Sequence, residues 1–266
     1  MVMAPASPPP QILMHTMPQQ KFQSSLPLWK LILFGSLCKA YTNKTLYHML
    51  INKHPIMLVS DASVQNNGQS GFAWVIAKGA TPLWQGLGLT PGPEEDMYSG
   101  RAEEFGLFVA ISFLQYYILC YQPAIPATTI PCYCDNLGVV MNLNLLTTTF
   151  IVRPNDTTND GCNIYLTIQQ AATACTALKL QYCHVKGHQD ANLQHPLMVE
   201  EQHNVDCDKL AKKFVHTHPQ QSTALAHPEF DIAALHLKIA GKLICHKVLL
   251  ALWHAAAVPL YWDYLC

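Results

Sequence analysis

Positive charge is scarce in this chain. Charged residues make up 12% of the 266 positions, and the formal net charge is −1. Arginine occurs only at Arg101 and Arg153. A protein that grips nucleic acid unaided normally sets clustered Lys and Arg against the phosphates. If this chain acts on nucleic acid, much of the grip has to come from elsewhere. Other absences narrow the field. There is no CxxC pair, no Gly-rich phosphate loop and no nucleophile elbow. The ten cysteines do not lay out the paired frame of a small secreted domain. Most lie inside apolar runs, as at Cys120, Cys175 and Cys207, where a thiol behaves as a small hydrophobe. The expected compartment is reducing and intracellular, either cytoplasmic or nuclear. The opening "MVMAPASPPP" has no basic stretch followed by an apolar one, so no secretory signal is expected. No internal repeat is visible.

What the chain has in quantity is apolar side chains. They make up half of it, enough to bury a sizeable core. The run "FGLFVAISFLQYYILCY" (105–121) looks like a membrane span at first sight. It is short for a bilayer, contains Gln115 and follows "RAEE" directly, so the better expectation is a core helix and no membrane partner.

Residues 1–25 are rich in Pro, Gln and Ser, the composition of a disordered or extended segment. Residues 26–55 read as an apolar helical flank. "IMLVSDAS", "SGFAWVIA" and "TPLWQGLGLT" read as three successive antiparallel strands, the first two joined across "QNNGQSG". From Ser99 the period turns helical, with Glu103, Leu107, Ala110, Ile111 and Leu114 on one face. "TTIPCYCD" is a strand, "NLGVVMNLNLL" a helix, residues 146–160 a loop, "CNIYLTIQQAATACTAL" a helix and "KLQYCHVKG" a strand. A last core helix is expected to begin near His203. The order βββαβααβα predicts an α/β domain over 56–217. Its mixed five-stranded sheet has three antiparallel strands, then parallel additions through helical crossovers. Residues 218–266 read as a linker followed by one apolar helix from Phe230 to about Ala257.

Four carboxylates stand out by position. Asp61 lies inside an apolar strand, where Asp is disfavoured. Glu103 opens a helix on its apolar face, Asp135 closes a strand, and Asp208 lies one turn after Asn204. Buried acids need partners. Strand ends and helix starts that meet at one sheet edge can bring the four together, and such a group calls for a cation. An all-oxygen set favours Mg²⁺ or Mn²⁺. Two such ions about 4 Å apart are a known means of phosphodiester hydrolysis. Each acid also has a plainer reading. Asp61 can be a polar residue at a turn. Glu103 can serve the helix dipole, and Asp135 with Asn136 can cap the following helix. Asp208 can be a solvated helix acid like Asp206. Cys132, Cys134, Cys183 and His184 hint at zinc, but without a CxxC pair and with alternating strand faces the hint is poor. Lys209, Lys212 and Lys213 read as a solvated helix face.

"SDASVQNNGQSGFAWVI", "SGRAEEFGL", "CYCDN", "HVKGHQD" and "NVDCDKLA", in this order over residues 57–215, resemble the type 1 ribonuclease H family. The resemblance implies a ribonuclease H-like fold. It implies an endonuclease that cuts the RNA strand of an RNA–DNA hybrid with two Mg²⁺. The metal-binding carboxylates would be Asp61, Glu103, Asp135 and Asp208. Glu103 rather than Glu104 matches, because the family's glutamate sits two residues after the arginine. Asp208 rather than Asp206 matches, being four after Asn204 and two before Leu210. His188, the second histidine of "HVKGH", matches the family's mobile loop histidine, which assists proton transfer or product release. The sequence departs from the family in three places. Alanine follows Asp61 where glycine is common, the loop from His188 to Asp208 is long, and residues 142–160 lack the basic, Trp-containing handle. Retroelement members joined to a reverse transcriptase can lack that handle too. The resemblance is therefore to the ribonuclease H region of a retroelement polyprotein, with 26–55 as the tail of a polymerase connection and a reverse transcriptase domain as partner. The alternative is a catalytically inactive remnant of the same fold that serves as a binding or packing module.

Overall fold

The computed structural model describes residues 33–39, 43–91, 97–120, 127–149, 162–174, 178–191, 196–218, 238–239 and 242–243. The segment 1–25, most of the loop 146–160, and most of the tail 218–266 lie outside the described residues. The elements in chain order are β1 (Ser36–Lys39), α1 (Asn43–Ile51), β2 (Met57–Val64), β3 (Ser70–Lys78), β4 (Thr81–Leu89), α2 (Ser99–Cys120), β5 (Thr128–Cys134), α3 (Leu137–Thr149), α4 (Cys162–Ala174), β6 (Leu178–His184) and α5 (Val199–Thr217). A two-residue pair, β7 (Lys238–Ile239) and β8 (Lys242–Leu243), follows.

The sheet runs β1-β4-β3-β2-β5-β6. Strands β2, β3 and β4 pair antiparallel, and β5 and β6 join β2 in parallel. The architecture is the α/β arrangement expected from the sequence, three antiparallel strands followed by parallel additions, with one correction. The sheet has six strands rather than five, because Ser36–Lys39 is an edge strand antiparallel to β4 and not part of a helical flank. Its four residues are too few for apolar spacing to separate strand from helix. Gly35, at φ +66°, turns the chain into it from a conformation that interrupts helices. Helix α1 keeps the expected type, and its Leu46 and Leu50 are buried in the main core with Phe34.

Two further expectations are corrected. Lys238–Ile239 pairs with Lys242–Leu243 as a short strand pair where a continuous helix was expected, and the sequence places Gly241, a poor helix-interior residue, between them. Helix α5 begins at Val199 rather than near His203. The Met198 N–H donates to the Glu201 carboxylate at 2.8 Å, and Glu200 and Glu201 occupy the first turn. Both features favour starting the helix there.

The two sheet faces are packed differently. Under α2 and α4 lies a large aromatic core. There Phe113, fully buried, meets Phe34, Trp74 and Trp84 with ring centroids 5.5, 4.9 and 5.0 Å away. Helix α2 is long and apolar enough to cross a membrane by length and composition, yet most of it is buried within this core. On the opposite face α5 rests on small side chains, with Val59, Ala73, Val75 and Ala77 meeting Cys207 and Ala211. The approach is close: a Cβ at Gly71 would lie 2.5 Å from Val215 Cγ2 and 3.0 Å from the Gly88 carbonyl oxygen. Gly71→Ala is therefore expected to cost about 1–3 kcal/mol by overpacking, read as a lower denaturant midpoint at unchanged m-value.

Candidate active site

The parallel pairing of β2 with β5 sets the site. Leu58 aligns with Cys132 and Val59 with Tyr133. Two residues further along, the same register puts Asp61 level with Asp135, just past the end of β5. Strand β5 stops at Cys134, and its Asn136 side chain starts α3 by accepting from the Val139 N–H at 3.3 Å. The capping reading of this corner is thus met by Asn136, which leaves Asp135 free to face the sheet edge. Helix α2 supplies Glu103 from its second turn, and α5 supplies Asp208 from across the small-residue face.

Asp135, Glu103 and Asp208 all lie close enough to Asp61 for their charges to bear on its carboxyl. Asp61 is 5% exposed. Burial, then the charges of Asp135, Glu103 and Asp208, push its carboxyl up from 3.8 to about 9, against the pull of the Ala62 N–H that donates to its Oδ1 at 2.6 Å. Burial and then the Asp135 charge push Glu103 up from 4.5 to about 8. Glu103 also shares a hydrogen bond with Asp135 that raises Glu103 and lowers Asp135. Asp135 is raised chiefly by burial, while the nearby His188 charge holds it down. Asp208 is half-buried, and Lys212 donates to its Oδ2 at 2.6 Å.

The two acids that compete with them in sequence point elsewhere. Glu104 is buried and hydrogen-bonded to Tyr165 of α4. Asp206 accepts from the Gln202 side chain at 2.9 Å. His188 is exposed, adopts φ +53°, and lies near Asp135. His184 was assigned no role from the sequence. Its Nε2 donates to the Asp135 carbonyl oxygen at 3.0 Å and so braces the corner that presents that carboxylate.

Two neighbours were not foreseen. Cys134 Sγ donates to Glu103 Oε2 at 3.4 Å, and ligand atoms of Glu103, Cys134 and Asp135 lie within 4.8 Å of one another. The signal was strand alternation: Cys134 follows Ile130 and Cys132 on the face that meets α2. Gly187 is the second. A Cβ there would overlap the Asp135 carboxylate, so this position admits only glycine without displacing the acid.

The residues present fit divalent cations. Four carboxylates supply hard oxygen donors, Asp135 Oδ1 is buried with no partner, and the raised carboxyls describe a cluster short of positive charge. His188 bears on Asp135, and Lys212 pairs with Asp208.

No family model matches the chain, and no curated protein does. Among solved structures it is similar to the foamy viral protease-reverse transcriptase in complex with an RNA/DNA hybrid, at 15% identity and TM-score 0.42, over 63% of this chain and 21% of that one. It is similar to the PFV RNase H domain in solution, at 16% identity and TM-score 0.42, over 61% of this chain and 94% of that one. A third is LC9-RNase H1, a type 1 RNase H with the type 2 active-site motif, at 11% identity and TM-score 0.38, over 77% and 83% of the two chains. The match spans about a fifth of the foamy viral protein's length.

Proposed function

We propose that this chain is a metal-dependent endonuclease that hydrolyses the RNA strand of RNA–DNA hybrids, leaving 3′-hydroxyl and 5′-phosphate ends. We further propose that it is the ribonuclease H part of a retroelement polyprotein. The observation that supports the reading is that the charges of Asp135, Glu103 and Asp208 all bear on Asp61, and that burial and repulsion push Asp61 up to about 9 and Glu103 up to about 8. The hybrid as substrate rests on the five motifs in order along the chain.

Asp61, Glu103, Asp135 and Asp208 would hold two Mg²⁺, or Mn²⁺. The bound cations would supply an activated water and offset the charge that develops on the leaving oxygen. The chain's own groups do the rest. The Ala62 N–H fixes one oxygen of Asp61. His184 and the bare Gly187 backbone fix Asp135. Lys212 pairs with Asp208 one turn along α5. His188, exposed beside Asp135, can pass a proton between solvent and the reacting phosphate. Preference for a hybrid would come from 2′-hydroxyl contacts in the minor groove. The sparse positive charge fits a chain whose hold on the duplex is shared with a reverse transcriptase domain, in the cytoplasm or nucleus.

The test is cleavage of an end-labelled hybrid by the full chain, with double-stranded DNA as control. Cutting of the RNA strand that requires Mg²⁺ and stops with chelator supports the proposal. A chain that cuts no hybrid and binds no metal in the millimolar range is the inactive binding module instead. Gly187→Ala offers a finer check. By pushing the Asp135 carboxylate aside it is expected to weaken Mn²⁺ binding about tenfold, the scale seen when the support of a ligand is lost, as measured by calorimetry.

A further inference from the structure

Among the described residues three buried thiols have partners, and two of them behave alike. Cys132 directs its sulfur to the Ile130 carbonyl at 3.6 Å, and Cys207 to the Val59 carbonyl at 3.8 Å. Both are ordinary core thiols, spending a weak donor on the nearest backbone oxygen. Cys134 sits on the same face as Cys132 and is equally buried, but its donor goes to the Glu103 carboxylate at 3.4 Å.

The surroundings of Glu103 explain why this matters. Asp61 and Asp135 bear on it from the sheet, and ionised carboxylates only accept. Among the described residues, the donors that bear on Glu103 besides a proton shared with Asp135 are the Cys134 thiol and the Asn136 amide. The oxygen of that same amide is committed to capping α3 through the Val139 N–H. Thiol and amide therefore clamp one carboxylate from the end of β5. The position also belongs to the apolar core, so its side chain must fill space as well as donate. Cysteine does both, whereas alanine would leave the carboxylate without one of its two clamping donors.

We infer that Cys134 is a positioning residue for Glu103, its thiol fixing the direction in which that carboxylate enters the acidic cluster. The inference rests on the metal-site reading above for its consequence, but not for the contact itself.

The experiment uses the full chain with Cys134→Ser, Cys134→Ala and Glu103→Gln. The S–H stretching band of Cys134, isolated in metal-free protein as the difference between wild type and Cys134→Ser, is expected at lowered frequency. Read above about pH 8, where Glu103 is ionised, the band should move back up in Glu103→Gln, whose amide carries no charge. In Mn²⁺ titrations by calorimetry, Cys134→Ala is expected to bind about tenfold more weakly, and Cys134→Ser, which restores a donor, close to wild type. An S–H band unmoved by Glu103→Gln overturns the inference. So does a serine variant as weak as alanine, which would mean that the thiol only fills space. Wild type that binds Mn²⁺ with an unchanged Cys134→Ala variant overturns the positioning role alone. Wild type that binds no Mn²⁺ overturns the site reading and the positioning role with it.

Discussion

Asp135→Asn is expected to lose hybrid cleavage by more than about 100-fold while melting at a higher temperature than wild type in metal-free buffer. The two effects have one origin. Asp135 is the acid that the others feel most. Its charge is the largest electrostatic influence on Asp61 and on Glu103, after burial itself. Exchange of the carboxylate for a neutral amide of the same shape removes that repulsion, and the folded state without cations gains. The same exchange removes a hard anionic donor. Loss of a group that merely supports a ligand costs 10–100-fold, so loss of the ligand itself should cost more. The corner stays braced in the variant, because His184 holds the Asp135 backbone carbonyl rather than its side chain. Activity on labelled hybrid and a thermal melt in chelator check the pair of outcomes. An active variant, or one that melts lower, would show that this carboxylate is not part of a repulsive, cation-holding cluster.

Stability without metal is expected to fall steadily as pH rises from about 4 to about 9, and Mg²⁺ should remove most of that fall. In the unfolded chain Asp61 and Glu103 titrate near 3.8 and 4.5, whereas in the folded protein they titrate near 9 and 8. Between those limits the native state binds more protons than the unfolded state, so unfolding free energy declines with pH. Below pH 4 both states hold the protons and the slope vanishes. A divalent cation competes with the same protons, so its stabilising effect grows with pH. Melting temperatures from pH 5 to 8.5, in chelator and in excess Mg²⁺, read this directly. A Mg²⁺ increment that is the same at every pH would contradict it, and Asp61→Asn should flatten the metal-free slope.

The parts of the fold that were legible in the sequence are those where chemistry and period agree. Strands β2, β3 and β4 alternate or run apolar between Gly and Asn turns. Helix α2 declares itself by spacing from Ser99, and Asp61 shows as an acid in an apolar strand. The edge strand β1 was hidden because "SLCK" fits either period over four residues, and tertiary pairing with β4 decided it. The start of α5 was misjudged because its N-terminal signal is a carboxylate three residues inside a weakly apolar stretch, with Met rather than Ser or Thr at the cap. The meeting of the acids could be anticipated only as a possibility of topology. The register that levels Asp61 with Asp135 is a non-local fact. Cys134 shows in the sequence only as part of a poor hint of zinc, and its bearing on Glu103 emerges when its sulfur is seen beside that carboxylate.

The thin seam between the sheet and α5 has a consequence for how the acidic cluster is tuned. Asp208 is carried on a helix whose height above the strands is set by Ala73, Ala77, Cys207 and Ala211, and by the missing side chain at Gly71. Those residues act as a spacer plate. Each added methyl group would lift one acid away from the other three without touching any of them, so the fourth carboxylate's reach is written in positions that carry no charge at all.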